Sequence, residues 1–125
     1  MITKNDFLQP THPVRRFIHQ IAYHLHNLHH ARSPHWSVVR RAWLRAHPRC
    51  ANPLCGSVEK VEVHHKKPFH LFPGLELLPA NFITLCMGPN ECHLKIGHLG
   101  NWQKYNAMID KTIERLTEEA HAQRV

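Results

Sequence analysis

A chain of 125 residues, 42% hydrophobic and 8% aromatic, has room for one domain of ordinary size with a modest core of the kind that needs a staple. Its formal charge of +7 is uneven: eight of the sixteen Lys/Arg but one of the nine acids lie in residues 1–50, the footprint of a polyanion binder or of a merely soluble basic surface. No apolar run approaches a membrane span and MITKNDFLQP lacks the pattern of a signal peptide, so we expect no membrane partner and a reducing cytoplasm, where four cysteines serve as metal ligands rather than disulfides.

In chain order, residues 1–10 are a polar lead-in. From Pro13 to about His30, Phe17, Ile18, Ile21, Ala22, Leu25 and Leu28 recur at helical spacing behind Thr11 as a cap. The other faces of that helix carry histidines. His26 and His30 are spaced to chelate a metal, although exposed or packing histidines are the commoner case. Ala31 to Pro34 breaks the pattern, with Ser33 as cap and Pro34 at the first helical position. A second helix is expected from His35 to about Ala46, stopped by His47-Pro48. Trp36, Val39, Trp43 and Leu44 form its core side, and Arg40, Arg41 and Arg45 are either phosphate contacts or a solvated face.

Cys50-Ala-Asn-Pro-Leu-Cys55-Gly56 reads as a tight turn of the metal-knuckle type. Val61 and Val63 alternate with Glu62 in a short strand expected to end around His64 and His65, because Lys66-Lys67-Pro68 does not continue a central strand. The following KKPFHLFPGLELLPA is too long for a hairpin turn, and loops of that length in compact domains tend to be functional. Phe82 to Leu85 is the returning strand, Glu91 starts a helix that Gly97 ends, and Tyr105, Met108, Ile109, Thr112, Ile113, Leu116 and Ala120 mark a third amphipathic helix. This gives an α+β fold.

Cys50 and Cys55 with Cys86 and Cys92 fit an all-thiolate structural zinc, against the alternative of four free buried cysteines. Between the pairs stand His64 and His65, then Asn81, and after them His93 and His98. Histidine, asparagine and histidine bracketed by cysteines read as a metal-dependent nuclease site on a zinc-stapled scaffold.

RSPHWSVVRRAWLRAHPRC, then VEVHHKKPFH with NFITLC and CH, then GHLGNWQKYN, together resemble small stand-alone HNH endonucleases of phages and mobile elements, over most of the chain from Arg32 onward. The resemblance implies a ββα-metal core, the His-Me finger, with its zinc staple in residues 32–104, an accessory N-terminal helix in 1–31 and a C-terminal helix in 105–125. It implies divalent-metal-dependent hydrolysis of DNA, leaving 5′-phosphate and 3′-hydroxyl ends, with Mg²⁺ or Mn²⁺, or else Zn²⁺ or Ni²⁺. His65 matches the general base, His64 and His93 the metal ligands, and Asn81 the residue that holds the base loop, by hydrogen bonding across the strands to orient His65. This division of labour between His64 and His65 is expected to need the strand to end there, since neighbours within a strand face opposite sides.

His98 departs from the pattern. Relatives with an all-histidine site place the last ligand four residues after the helix ligand, which is Gly97 here, so His98 binds only if the helix ends and the chain turns back; otherwise it packs or contacts substrate. Lys66 and Lys67 suit phosphates on either side of the cut. One base per site means that cutting both strands needs a homodimer or two encounters, and phage packaging machinery is a candidate partner. The rival reading is a zinc-stapled DNA-binding module that does not cut.

Overall fold

The computed structural model describes residues 31–124, so the helix expected over Pro13–His30, with its histidines, lies outside the described residues. A division between Ala31 and Arg32 separates the N-terminal stretch from the unit that holds everything below.

Helix α1 spans Trp36–Ala46. Ser33 starts it: its Oγ accepts the His35 N–H at 3.1 Å and its carbonyl accepts the Trp36 N–H at 3.1 Å, satisfying two donors that a helix start leaves free. Trp36, Val39, Trp43 and Leu44 form the half-buried stripe that the periodicity predicts. The two indoles stand edge-on to Phe82, at 5.5 and 5.4 Å between centroids. Trp43 Nε1 donates to Thr84 Oγ1 at 3.1 Å, and that hydroxyl donates to the His47 carbonyl at 2.8 Å, so the helix end is hydrogen-bonded as well as packed onto the sheet.

The sheet has two antiparallel strands, β1 (Val61–His65) and β2 (Phe82–Cys86), with Val61 opposite Cys86 and His65 opposite Phe82. Every residue of β2 is buried, because both of its faces are covered. The connecting loop carries two single 3₁₀ turns, Pro73–Leu75 and Pro79–Asn81. After β2 comes a π-helical segment, His93–Gly97, and then helix α2, Ile109–Gln123. Helix α2 begins later than the apolar period suggests, because Asn106 Oδ1 accepts the Met108 N–H at 3.0 Å and fixes the start there. Met108 is 54% exposed and lies outside the core.

The central cluster joins Ile83 and Leu85 of β2 and Ile109 of α2 to Cys50, Cys86 and Cys92. Half of this core is thiol. The strand ends at His65, as expected, but both histidines lie within it, and its alternation sends the two rings to opposite faces, His64 toward the π-helical segment and His65 toward Trp36. Both still line one cleft, because they occupy the last two positions of the strand and the cleft wraps its end.

Candidate metal centre and its surroundings

His64, His93 and His98 each offer a ring nitrogen, and these three atoms lie within 4.8 Å of one another. His98 reaches the group because the turn that carries it is wider than an α-turn. The His98 N–H is shared between the carbonyls of His93, five residues back, at 3.1 Å and Leu94, four back, at 3.2 Å, and the π-type bond of the pair brings position 98 over position 93. In a regular helix the fifth residue would lie well round from the first. The chain then turns sharply through Leu99 (φ 55°) and Gly100 (φ 82°), whose N–H returns to Leu94 O at 2.8 Å.

Gly97 does not supply that left-handed turn. A Cβ at position 97 would stand 2.9, 3.0 and 3.2 Å from three atoms of the His64 ring, so the glycine is there to admit the imidazole. Gly97→Ala is therefore expected to push His64 out of the group while leaving the cysteine cluster intact. Elemental analysis should find one metal ion fewer per chain than in the unaltered protein; an unchanged content would mean that the close approach is irrelevant to binding.

Hydrogen bonds fix which nitrogens face the centre. His98 Nδ1–H donates to the Lys104 carbonyl at 2.7 Å, leaving Nε2 with its lone pair. His93 Nδ1 lies 3.3 Å from Met87 Sδ and 3.5 Å from Glu62 Oε2. His64 is 2% exposed, and its Nε2 is buried with no hydrogen-bond partner among the described residues. Leaving such a nitrogen unpaired costs on the order of 1–3 kcal/mol, so something bound is expected to satisfy it. Burial and then the neighbouring His93, His98 and His65 hold the His64 imidazole down at about 3, and burial with His98 and His65 holds His93 down at about 4. Both rings are therefore neutral at neutral pH, the form that ligates a cation.

His65 stands beside this group, its ring 4.6 Å from that of Trp36. Its Nε2 is 2.9 Å from the Glu76 carbonyl, and since a carbonyl only accepts, Nε2 carries the proton and Nδ1 is the free base. Burial, and next to it the Arg32 charge, lowers its affinity for a second proton, against the opposing pull of the Glu76 carbonyl. Asn81 makes no hydrogen bond to His65. It accepts the Lys67 N–H at 2.8 Å and donates to the carbonyls of Lys67 at 3.0 Å and Leu75 at 3.4 Å, pinning the two ends of the loop. Its bond to the Leu75 carbonyl lies one residue from Glu76, whose carbonyl meets His65.

Glu76 is the residue that the sequence reading misses. The residue is 4% exposed, and its carboxylate takes the Arg32 guanidinium at 3.1 Å and the Ser33 N–H at 2.8 Å, tying the start of the unit to the loop that orients His65. A single acid among apolar residues in FPGLELLPA is the signal for it, since a carboxylate in such company is buried only with partners.

The four Sγ atoms of Cys50, Cys55, Cys86 and Cys92 form a second group within 4.8 Å. None is in a disulfide. The Cys55–Cys86 separation is 3.7 Å, close to the edge of about 3.8 Å that a tetrahedron with metal–sulfur bonds of about 2.3 Å requires. Asn52 builds the first knuckle: its carbonyl accepts the N–H groups of Cys55 and Gly56, both at 2.9 Å, and Gly56 takes φ 62°. Burial pushes the Cys50 and Cys92 thiols up. Cys55 is also pushed up by burial, but hydrogen bonds with Asn90 and Ser57 bring it down to about 7. Thiols this close ionise together only around a cation, so the group can hold a metal ion.

The cations divide. Arg40 lines the histidine cleft, joined by Arg32 and Lys104, which the sequence reading did not single out. Arg41 and Arg45 are exposed and lie outside the cleft lining. Lys66 turns away to Asp110, 2.9 Å from its carboxylate, and Lys67 lies over Phe72 at 5.4 Å, so neither flanks the histidines as expected. No helix among the described residues is long and apolar enough to cross a membrane. No family model matches the chain, and no curated protein or solved structure matches it either.

Proposed function

We propose that this chain is a divalent-metal-dependent endonuclease that hydrolyses DNA phosphodiester bonds on a ββα-metal core of the HNH type. The observation that carries the reading is the convergence of a ring nitrogen from each of His64, His93 and His98, with the Nε2 of His64 buried and unpartnered, next to a histidine held as a free base. The order strand, long loop, strand, short helical segment agrees with that core. A module that only binds DNA has no need of such a group, and keeping it would cost stability for nothing.

His64, His93 and His98 would hold the ion. Imidazole donors suit borderline metals, so Zn²⁺ or Ni²⁺ fits the set better than Mg²⁺ or Mn²⁺, which favour oxygen. When bound, the ion supplies positive charge against the phosphate and the leaving oxygen. His65 takes the proton of the attacking water on Nδ1. The Glu76 carbonyl keeps that ring in the required tautomer, and Asn81 keeps the loop that presents the carbonyl. Arg40 and Lys104 add charge for the neighbouring phosphates. The thiolate group would hold a structural zinc.

Supercoiled plasmid and single-stranded circular DNA, incubated with the protein with and without added Zn²⁺, Ni²⁺ or Mg²⁺, test the reading. Cleavage is expected with the ion and none without it. No cleavage under any metal, or equal cleavage in its absence, would reject the proposal.

A further inference from the structure

Trp102 is 51% exposed, yet it belongs to the wall of the histidine cleft. Its ring stands edge-on to His93 at 5.2 Å and tilted against His98 at 4.9 Å between centroids. An indole with half its area in water gains only part of the free energy that burial would give, so packing alone does not account for its place.

The segment that carries it is well fixed. Asn101 Oδ1 accepts the Gln103 N–H at 2.9 Å, the Asn101 carbonyl accepts the Lys104 N–H at 2.8 Å, and the Lys104 carbonyl takes the His98 Nδ1–H at 2.7 Å. The ring is thus presented in a set orientation, which lowers the ordering cost of anything that stacks on it. Phe69 and Tyr105 share the cleft of about 470 Å³ with Arg40 and Lys104. Aromatic faces interleaved with cations are what a groove for an unpaired strand needs: the cations follow the phosphates, and the rings take the base faces that pairing and stacking would otherwise cover. A base inside an intact duplex has no free face to offer.

We propose that Trp102 is the stacking platform for an unpaired base beside the phosphate bound at the histidine centre, so that the cleft takes single-stranded or locally unpaired DNA in preference to intact duplex. The inference rests on the nucleic-acid reading of the cleft given above.

The test uses the full-length, metal-loaded chain carrying His65→Ala, so that binding is read without turnover. Anisotropy is measured with a labelled single strand, its duplex, and the same duplex with a short unpaired bubble. Strand and bubble should bind more tightly than duplex. Adding Trp102→Leu should weaken the first two by about 10- to 100-fold, with most of the affinity kept by Trp102→Phe. Equal affinity for strand and duplex, or an unchanged affinity in the Leu variant, overturns the proposal. Loss of bound metal from the Leu variant, seen by elemental analysis, also overturns it, since Trp102 would then be a cover over the histidines. Should stacking hold while the protein with His65 intact cleaves none of the three DNAs, the nuclease reading fails and the stacking site stands.

Discussion

Stripping metal from the protein with a strong chelator is expected to unfold the Arg32–Val125 unit, with loss of its cooperative thermal transition. Three of the six residues in the central cluster are cysteines, and its buried apolar remainder is Ile83, Leu85 and Ile109, with only partly buried Ala51, Val61, Ile96 and Ile113 packed against it, a small core for two short strands and two helices. Structural zinc sites contribute roughly 10–16 kcal/mol in apparent binding free energy, as much as or more than the roughly 5–15 kcal/mol by which whole domains are stable. Removing the ion leaves buried thiols that repack poorly and frees the two turns they join. Cys86→Ser, at a position with no exposed surface, should reproduce the collapse. Circular dichroism melts with parallel elemental analysis give the check: an unaltered melting temperature after complete metal removal would mean that the cysteines are only packing. His64→Ala should behave differently, losing metal from the histidine group while the transition persists.

Much of this architecture is legible in the sequence where one physical rule dominates. Trp36, Val39, Trp43 and Leu44 recur at helical spacing, and the helix ends just ahead of Pro48, as a proline requires. Strand β2 is a short apolar run, FITLC, and its burial on both faces follows from having nothing polar but a hydroxyl to expose. The start of α2 is harder to read, because Tyr105 and Met108 fit the apolar period and only the side chain of Asn106 marks the true beginning. The end of β1 at His65, by contrast, is legible in the Lys-Lys-Pro that follows it.

The candidate site divides in the same way. Spacing brings the four cysteines together on paper as it does in space. His98 is different: periodicity assumes a regular helix, and the extra residue per turn that carries it over His93 leaves no mark in HLKIGH. Gly97 looks like a helix terminator until the His64 ring is seen against it. Neighbours in sequence also mislead about charge, since Lys66 follows the histidine pair but pairs with Asp110 of α2, whereas Arg32 and Lys104, far from that pair in sequence, line the cleft.

The proposed role of His65 predicts the largest functional effect. Its Nε2–H is committed to the Glu76 carbonyl, so Nδ1 is left to accept a proton, and Trp36 holds the ring in place. General bases contribute roughly 10²- to 10⁴-fold to rate, and removing this one should cost that much. Because His65 is not among the three converging histidines, its loss should leave the metal content alone. His65→Gln guards against a trivial failure to fold, since its amide can still donate to the Glu76 carbonyl but cannot serve as a base at neutral pH. The decisive measurement is the rate of DNA strand scission by the unaltered, His65→Ala and His65→Gln proteins at matched metal content. Scission by the first and a drop of at least about 100-fold in both variants are expected; equal rates in all three would mean that His65 is not the base.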